Sequence, residues 1–366
     1  MLKRLHIKNF TVFADADFEF GPGLNVIVGT NGTGKSHVLK LGYIAEIVRF
    51  NVSRDFSASQ LNAPLISSLA WISNLYKLLP QVFLSKQLGH LIRWDAHEEA
   101  EITVDFGASE EEKLVFEIHS KDENTRETSS ISIGTQTAPI VTENVAKPVF
   151  IPPKEALTLT SWLPGLYEKY SLAIDRTYFD LCNLLSSPLL RKLDASIQPV
   201  ISALEVLMQG KIRFEDNQFF LYRSEEERLE IDLAAEGIRK LGVLAYLLGN
   251  SSLEKATTLF WDEPEANLNP AMLRELAKAL AALAKQGFQI ILATHSMSLL
   301  KEFHILSRHE NIRPLPIRYF GLNAEPGQPT TVVTKDDFKF LPDVVALEVE
   351  LEQADDLEEI FAREDQ

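Results

Sequence analysis

Gly29-Thr30-Asn31-Gly32-Thr33-Gly34-Lys35-Ser36 is the stretch that decides the fold of this chain. It fits the pattern G-x-x-x-x-G-K-[ST], in which glycines let the backbone turn its N–H groups toward phosphate oxygens. The apolar residues 24–28 predict a buried strand before the loop, and residues 35 to about 49 predict a helix whose N-terminus favours bound anions. Lys35 would then place its charge on the β- and γ-phosphates, and the Ser36 hydroxyl would ligate Mg²⁺. The stretch therefore predicts a nucleoside triphosphate site, which we call the P-loop.

A second apolar run ends in two acids further along the chain. Residues 258–261 predict a short buried strand, and Asp262 and Glu263 follow it directly. Adjacent buried carboxylates are costly unless a metal or hydrogen bonds compensate them. Alone, such a pair is more typical of a solvated turn. Together with the P-loop, it predicts that Asp262 holds Mg²⁺ through water and that Glu263 orients and deprotonates the attacking water.

A histidine follows a third apolar strand. Residues 289–293 predict this strand, and Thr294-His295-Ser296 come directly after it. A single histidine is usually a structural or surface residue. Here it stands at the carboxyl end of a core strand, which is where open α/β sheets bind their ligands. We therefore predict that His295 contacts the γ-phosphate.

The remaining elements follow from apolar periodicity and turn residues. Further strands are predicted at residues 2–8, 12–20, 101–106, 113–118, 149–151, 211–214, 219–222, 229–231, 317–321 and 330–333, and helices at 155–209, 237–248, 270–286 and 297–303. Residues 120–146 are rich in polar side chains and predict an exposed loop or a weak hairpin. The tail from residue 342 predicts an acidic helix with its apolar face packed against another surface.

Composition restricts the class of protein. The net charge of −16 disfavours a broad phosphate-binding surface, since such surfaces need many Lys and Arg side chains. The single cysteine, Cys182, lies in an apolar helical stretch and is predicted to be buried and unreactive. Residues 1–10 lack the apolar core of a signal peptide, and no segment approaches the ~18 apolar residues of a membrane span. We therefore expect a soluble, cytoplasmic protein without a membrane partner.

Four motifs together resemble one family. They are Leu5-His6-Ile7-Lys8-Asn9-Phe10, the P-loop, Asp262-Glu263-Pro264-Glu265 and Thr294-His295-Ser296. They resemble the ABC-type ATPases, and within these the RecF/SMC/OLD-like branch, over residues 1–50 and about 230–300. The resemblance implies an α/β fold, an ABC-type P-loop NTPase head with a mixed central sheet, an antiparallel β edge and an inserted helical subdomain. The implied division is 1–150 and 211–340 for the two halves of the head, 151–210 for the helical insertion and 341–366 for the acidic tail.

The resemblance also implies a composite site. In this family a signature motif at the start of a helix reads the γ-phosphate bound by the opposite subunit of a dimer. The matching stretch is Ala234-Ala235-Glu236-Gly237-Ile238-Arg239-Lys240, in which Glu236 and Gly237 would contact the nucleotide. Ala235 stands where the family has serine, which removes one hydroxyl donor. The alternative is an ordinary helix start. Residues 267–270 match the D-loop, which in the family runs along the dimer interface.

The leading functional hypothesis is an ATPase that uses ATP and Mg²⁺, dimerises on ATP and controls a second effector protein, nuclease or toxin-like. Stand-alone members of this branch act in this way in bacterial phage defence. The stretch between Ser36 and Asp262 has no sustained heptad pattern, which disfavours a chromosome-tethering role. About 60 residues follow the histidine motif, so a nuclease would be another chain.

Two other hypotheses stay open. The first is a RecF-like DNA-repair ATPase that binds duplex DNA, which the negative charge disfavours. The second is the nucleotide-binding subunit of a membrane transporter, which the long segment at residues 50–230 disfavours. The glutamine that the family places near the metal is not assigned by the sequence, because Gln60, Gln81 and Gln87 all remain candidates.

Overall fold

A computed structural model describes residues 1–55, 64–96, 99–107, 109–120, 126–134, 145–170, 172–308 and 315–341, and separate positions between 353 and 363. The strands are β1 Arg4–Phe10, β2 Phe13–Glu19, β3 Leu24–Gly29, β4 Ala100–Asp105, β5 Lys113–Ser120, β6 Ser129–Ile133, β7 Val149–Ile151, β8 Lys211–Glu215, β9 Gln218–Tyr222, β10 Arg228–Glu230, β11 Thr258–Asp262, β12 Gln289–Thr294, β13 Ile317–Asn323 and β14 Thr331–Lys335. The helices are α1 Lys35–Asp55, α2 Pro64–Phe83, α3 Leu163–Lys169, α4 Arg176–Leu185, α5 Gln198–Met208, α6 Glu236–Gly249, α7 Pro270–Lys285 and α8 Met297–Arg308.

The central sheet has six strands in the order β14-β13-β3-β12-β11-β7. All neighbours are parallel except β13 and β14, so the sheet is mixed, as predicted. Every residue of β3, β11 and β12 is buried, which explains why these strands read as continuous apolar runs.

Alternate residues of the central strands point into two separate cores. Val26 and Leu259 pack with α6, α7 and α8 on one face of the sheet. Ile27 and Phe260 pack with α1 and α2 on the other face. The period of two along a strand divides its side chains between these faces, so each strand anchors helices on both sides.

A second sheet, antiparallel and five-stranded, has the order β2-β1-β4-β5-β6 and covers α1 and α2. Its strands alternate between buried and more exposed residues, which matches a sheet with one face on the core. The predicted weak hairpin in residues 120–146 contains β6, which pairs antiparallel with β5. Residues 121–125 and 135–144 of that prediction lie outside the described residues.

The segment predicted as helical over residues 155–209 folds as three short helices, α3 to α5. Asp175 is the N-cap of α4. Its side chain accepts a hydrogen bond from the Thr177 backbone N–H, as N-cap aspartates typically do. The chain then forms a third sheet, β10-β9-β8. The division at residues 150, 210 and 340 stays a prediction.

The acidic tail is helical at its described positions, as predicted. Its apolar side chains Leu357, Ile360 and Phe361 are exposed, whereas the sequence predicted that they pack against another surface. Within the described part of the chain, no helix combines the length and apolarity needed to cross a lipid bilayer.

Candidate nucleotide-binding site

Three parallel strands deliver the predicted site residues to one edge of the central sheet. β12 lies between β3 and β11, with Thr294 opposite Val28 and Ala293 opposite Asp262. The carboxyl ends of parallel neighbours coincide, so the P-loop, the acid pair and the histidine meet at the same edge. The sequence predicted a strand before each of these three motifs, and the parallel pairing of the strands brings the motifs together.

The P-loop glycines are required by backbone geometry. Gly32 and Gly34 have φ angles of 84° and 93°, a left-handed region that other residues rarely adopt. A Cβ on Gly34 would lie 2.6 Å from Val12 Cγ2, and one on Gly29 would lie 2.7 Å from the Leu322 carbonyl oxygen. Larger side chains would therefore displace the loop from the sheets that support it.

Lys35 is held inside the loop. It is 6% exposed, and its Nζ donates hydrogen bonds of 2.8 Å to the carbonyl oxygens of Gly29 and Thr30. Burial lowers the pKa of this ammonium, although the acids at the end of β11 oppose the shift. A phosphate would offer Lys35 a full negative charge in place of carbonyl dipoles, and such charge-assisted bonds are stronger.

Asp262 fits the role of a Mg²⁺ partner. It is 3% exposed, burial raises the pKa of its carboxyl, and a hydrogen bond from Ser36 acts in the opposite direction. Its Oδ1 has no hydrogen-bond partner among the described residues. A buried carboxylate oxygen without a donor is costly, and hard oxygen ligands of this kind suit Mg²⁺. Ser36 and Asp262 are thus the residues that would hold the metal.

Glu263 leaves the strand in an unusual conformation. Its φ of 48° is left-handed, while its backbone N–H still donates to the Ala293 carbonyl at 2.9 Å. This turn breaks the alternation of the strand and re-aims the side chain. His295 Nδ1 lies 3.5 Å from Glu263 Oε1, and both side chains are partly exposed. Glu263 is therefore the acid of the pair that water can reach.

Glu265 is a site residue to which sequence reasoning assigned no role. Its Oε1 accepts hydrogen bonds from the Thr294 hydroxyl at 2.6 Å and from the His295 backbone N–H at 3.1 Å. The side chain therefore fixes the loop that carries the histidine. The only signal in the sequence is its place as the third acid of the Asp262-Glu263-Pro264-Glu265 run.

Lys240 is a second residue near the site to which sequence reasoning assigned no role. It is 2% exposed, and its Nζ donates to the carbonyl oxygen of Glu263 at 2.6 Å. Burial lowers the pKa of this lysine to about 8. The contact ties α6 to the end of β11. A lysine within the apolar stretch of residues 238–248 was the available signal, because an unpaired charge is rarely buried in such a stretch.

The signature stretch meets the D-loop of its own chain. A Cβ on Gly237 would lie 2.8 Å from the Asn267 carbonyl oxygen and 3.2 Å from Leu268 Cδ2. Glu236 is the first residue of α6, and Ala235 is its N-cap without a side-chain hydrogen bond. A serine there could supply that bond. Contact of Glu236 and Gly237 with nucleotide stays a prediction.

Two of the three candidate metal-site glutamines, Gln81 and Gln87, lie among the described residues. The Gln81 side chain accepts a 2.7 Å hydrogen bond from Arg176, and Gln87 precedes a short 3-10 turn. Gln60 lies outside the described residues.

The end of β7 is beside Asp262, because Ile151 pairs with Trp261. Two prolines, Pro152 and Pro153, follow at that position.

A family model described as "AAA domain, putative AbiEii toxin, Type IV TA system" matches residues 24–301, which is more than half of the chain. The chain belongs to this family. A second model, described as an AAA domain, matches residues 4–40. The matched residues include the P-loop, the acid pair and the histidine, which are the motifs gathered at the sheet edge.

Curated relatives match over short stretches. The Old nuclease of Escherichia phage P2 is 41% identical over 56 residues, 15% of this chain and 10% of the nuclease. The DNA replication and repair protein RecF of Streptococcus uberis is 35% identical over 81 residues, 21% of this chain and 22% of RecF. The DNA double-strand break repair Rad50 ATPase of Archaeoglobus fulgidus is 47% identical over 45 residues, 12% of this chain and 5% of that protein. The chain thus spans less than a quarter of the length of these relatives.

Solved structures match over nearly the whole chain. An SMC head bound to the C-winged helix domain of ScpA aligns with a TM-score of 0.54 and 15% identity, over 92% of this chain and 98% of the other. An SMC head with an extended coiled coil, bound to the C-terminal domain of ScpA from Pyrococcus furiosus, gives 0.50 and 12%, over 98% and 99%. The fold predicted from sequence is confirmed. The short matches to Old nuclease, RecF and Rad50, together with the SMC-head fold, support the resemblance to ABC-type P-loop ATPases of the RecF/SMC/OLD branch.

Proposed function

We propose that this protein binds ATP with Mg²⁺ at the P-loop, hydrolyses it, and uses ATP to join two copies that control a second, nuclease-like or toxin-like effector protein in bacterial phage defence. The observation that carries the hydrolytic part is the meeting of Lys35, Asp262 and Glu263 at one sheet edge. The orphaned Asp262 Oδ1 supports the metal, since a buried acceptor of this kind lacks compensation otherwise.

Each site residue has a defined task in the proposed hydrolysis. Lys35 and the N–H groups of the P-loop bind the phosphates, and Mg²⁺, when bound, would offset charge on the β- and γ-phosphates. Glu263 accepts a proton from the attacking water, whose oxygen bonds to the γ-phosphorus. The bond to the oxygen between the β- and γ-phosphorus atoms then breaks, and ADP and phosphate leave. His295, 3.5 Å from Glu263, orients that carboxylate and contacts the γ-phosphate.

The proposed control of a second effector protein rests on the names of the similar proteins. The description of the matched family names a putative AbiEii toxin of a type IV TA system, and one relative is a phage nuclease. Two similar SMC heads are described as bound to ScpA, so heads of this fold can carry a second protein. These likenesses support an ATPase that works beside an effector.

A RecF-like role in DNA repair is the second candidate, because RecF and Rad50 are among the relatives. The face of the five-stranded sheet that points away from the core disfavours it. By strand register, this face carries the acids Asp15, Asp17, Glu19, Glu101, Asp105 and Glu117 and the bases Arg4, Lys8 and Lys113. Such a balance repels phosphates. Turnover that DNA stimulates, with a steep loss at higher salt, would favour this second role.

Two substitutions test the nucleotide site. Lys35→Ala should lose nucleotide binding, because it removes the cation that meets the β- and γ-phosphates. Glu263→Gln should bind ATP normally and lower turnover by about a hundredfold or more, because the amide takes no proton. Calorimetric binding and phosphate-release assays measure the two effects. Unchanged ATP affinity in Lys35→Ala, or wild-type turnover in Glu263→Gln, would refute the assignment.

The defence role needs a cellular test. The gene is expressed in a phage-sensitive host together with its neighbouring reading frame, and plaque counts are compared with those for Lys35→Ala. We expect protection only from the wild-type pair. Equal plaque counts for both would contradict the effector hypothesis while leaving the ATPase assignment intact.

A further inference from the structure

An ion pair stands on the metal side of the site, and neither the motifs nor the resemblance assigned it a role. Lys40 is one turn beyond Ser36 on α1, so both side chains lie on the same face of the helix. Its Nζ is 2.7 Å from Asp175 Oδ2, and the two side chains are 19% and 13% exposed. The pair is therefore largely removed from water, where charges interact more strongly than at the surface.

Asp175 is fixed by the fold rather than by Lys40 alone. Its other oxygen, Oδ1, accepts hydrogen bonds of 2.9 Å from the backbone N–H and the hydroxyl of Thr177. As the N-cap of α4, the carboxylate has one oxygen for the helix and one for the lysine. A carboxylate held in this way keeps the ammonium at a set position.

Lys40 also stands next to a residue that would hold the metal. Ser36 lies one turn before Lys40 on the same face of α1. A cation beside Ser36 would repel a divalent metal held there. The negative charge of Asp175 offsets that repulsion, because it lies in direct contact with the same ammonium.

We propose that the Lys40–Asp175 ion pair sets the Mg²⁺ affinity of the nucleotide site, with Asp175 as a positioning residue that neutralises and holds Lys40. This rests on the proposed function. α4 makes two further polar contacts nearby: the Tyr43 hydroxyl donates to Asp180 at 2.8 Å, and Arg176 donates to Gln81 at 2.7 Å.

The proposal predicts effects of opposite sign for the two partners. Asp175→Asn keeps an N-cap oxygen and leaves Lys40 unpaired, so the Mg²⁺ concentration at half-saturation should rise about tenfold. Lys40→Met leaves Asp175 as an extra negative charge, so that concentration should fall. The double variant removes both charges and should return to within about threefold of the wild type. Opposite single effects that cancel in the double variant are not expected from a loss of packing.

The measurement is Mg²⁺ titration of the full chain with a fluorescent ATP analogue, without turnover as the readout. Nucleotide affinity without Mg²⁺ is measured in parallel, together with the thermal midpoint of each variant. Tyr43→Phe is the matched control, because it breaks the neighbouring hydrogen bond between α1 and α4 without a change of charge. It should lower the thermal midpoint and leave the Mg²⁺ midpoint unchanged.

The outcomes separate the two proposals. An unchanged Mg²⁺ midpoint in Asp175→Asn, or an equal shift in Tyr43→Phe, overturns the role of the ion pair while nucleotide binding stands. A double variant as weak in Mg²⁺ binding as Asp175→Asn does the same. If the wild-type chain binds no nucleotide with or without Mg²⁺, the proposed function fails, and the role of the pair fails with it.

Discussion

Lys35 and Asp262 are opposite charges that the fold buries close to the same point. Burial lowers the pKa of the lysine and raises that of the aspartate, so both are pushed toward their neutral forms. Each keeps partial compensation, from two carbonyl oxygens and from Ser36 respectively. Under the proposed function, phosphate and Mg²⁺ supply the missing counter-charges. Burial of Lys35 and Asp262 therefore destabilises the ligand-free protein, and bound phosphate and Mg²⁺ would remove that destabilisation.

His37 provides a prediction on pH. Its Nδ1 lies 2.9 Å from Thr11 Oγ1 and its ring packs edge-on against Phe83. Burial lowers the pKa of this histidine from 6.5 to about 4. The unfolded chain thus binds more protons between these values, and stability falls as pH falls through that window. The free energy of unfolding should drop by at most about 3 kcal/mol from this group.

Urea denaturation at several pH values between 7 and 4 measures this effect, with His37→Asn as the comparison. The asparagine does not titrate, so its stability curve should be flatter over the same window. Curves of equal slope for the wild type and the variant would assign the acid sensitivity to other groups.

At the scale of elements, α6 connects the signature stretch to the end of β11. Lys240 ties the helix to the Glu263 carbonyl, and Gly237 brings its first turn against Asn267. The glycine is therefore required within one chain, whether or not a second subunit is present. A large substitution at this position changes the D-loop as well as any dimer contact.

Gly237→Ala tests this contact. Its Cβ would lie 2.8 Å from the Asn267 carbonyl oxygen, so the helix or the D-loop must shift by a few tenths of an ångström. We expect nucleotide affinity within about twofold of the wild type and turnover reduced about tenfold, since small misplacements of catalytic groups are costly. Binding and phosphate-release assays measure the two quantities.

Gly249→Ala is the control at the other end of the same helix. Its Cβ would meet Leu189 Cδ2 at 2.9 Å, the end of a flexible side chain that can move. It should leave turnover nearly unchanged. If both alanine variants lost the same turnover, the effect would come from general stability of α6 and not from the D-loop contact.

At the scale of the whole molecule, the proposed function requires two copies. Glu263→Gln with ATP should scatter light as a particle of twice the monomer mass, because bound nucleotide persists and holds the composite site together. Lys35→Ala under the same conditions should stay monomeric, since it lacks nucleotide. A monomer mass for Glu263→Gln saturated with ATP would argue against a shared site.

The sequence alone determined the P-loop, the acid pair and the central strands. Each is a local signal: the glycines and Lys35 lie within eight consecutive positions, and a strand buried on both faces appears as a continuous apolar run. It also placed Asp262 and His295 each at the carboxyl end of an apolar strand. The parallel pairing of these two strands, which the structure shows, brings both residues to one edge. The sequence did not predict which other side chains hold this edge in place.

Only the tertiary structure decided the contacts of Lys240, Glu265 and the Lys40–Asp175 pair. Their partners lie far apart along the chain and meet through the packing of helices on the sheet. Neither apolar periodicity nor a short motif encodes which polar groups will face each other across such a gap. A buried charge finds its partner by geometry in three dimensions, and that geometry is fixed only when the whole core has formed.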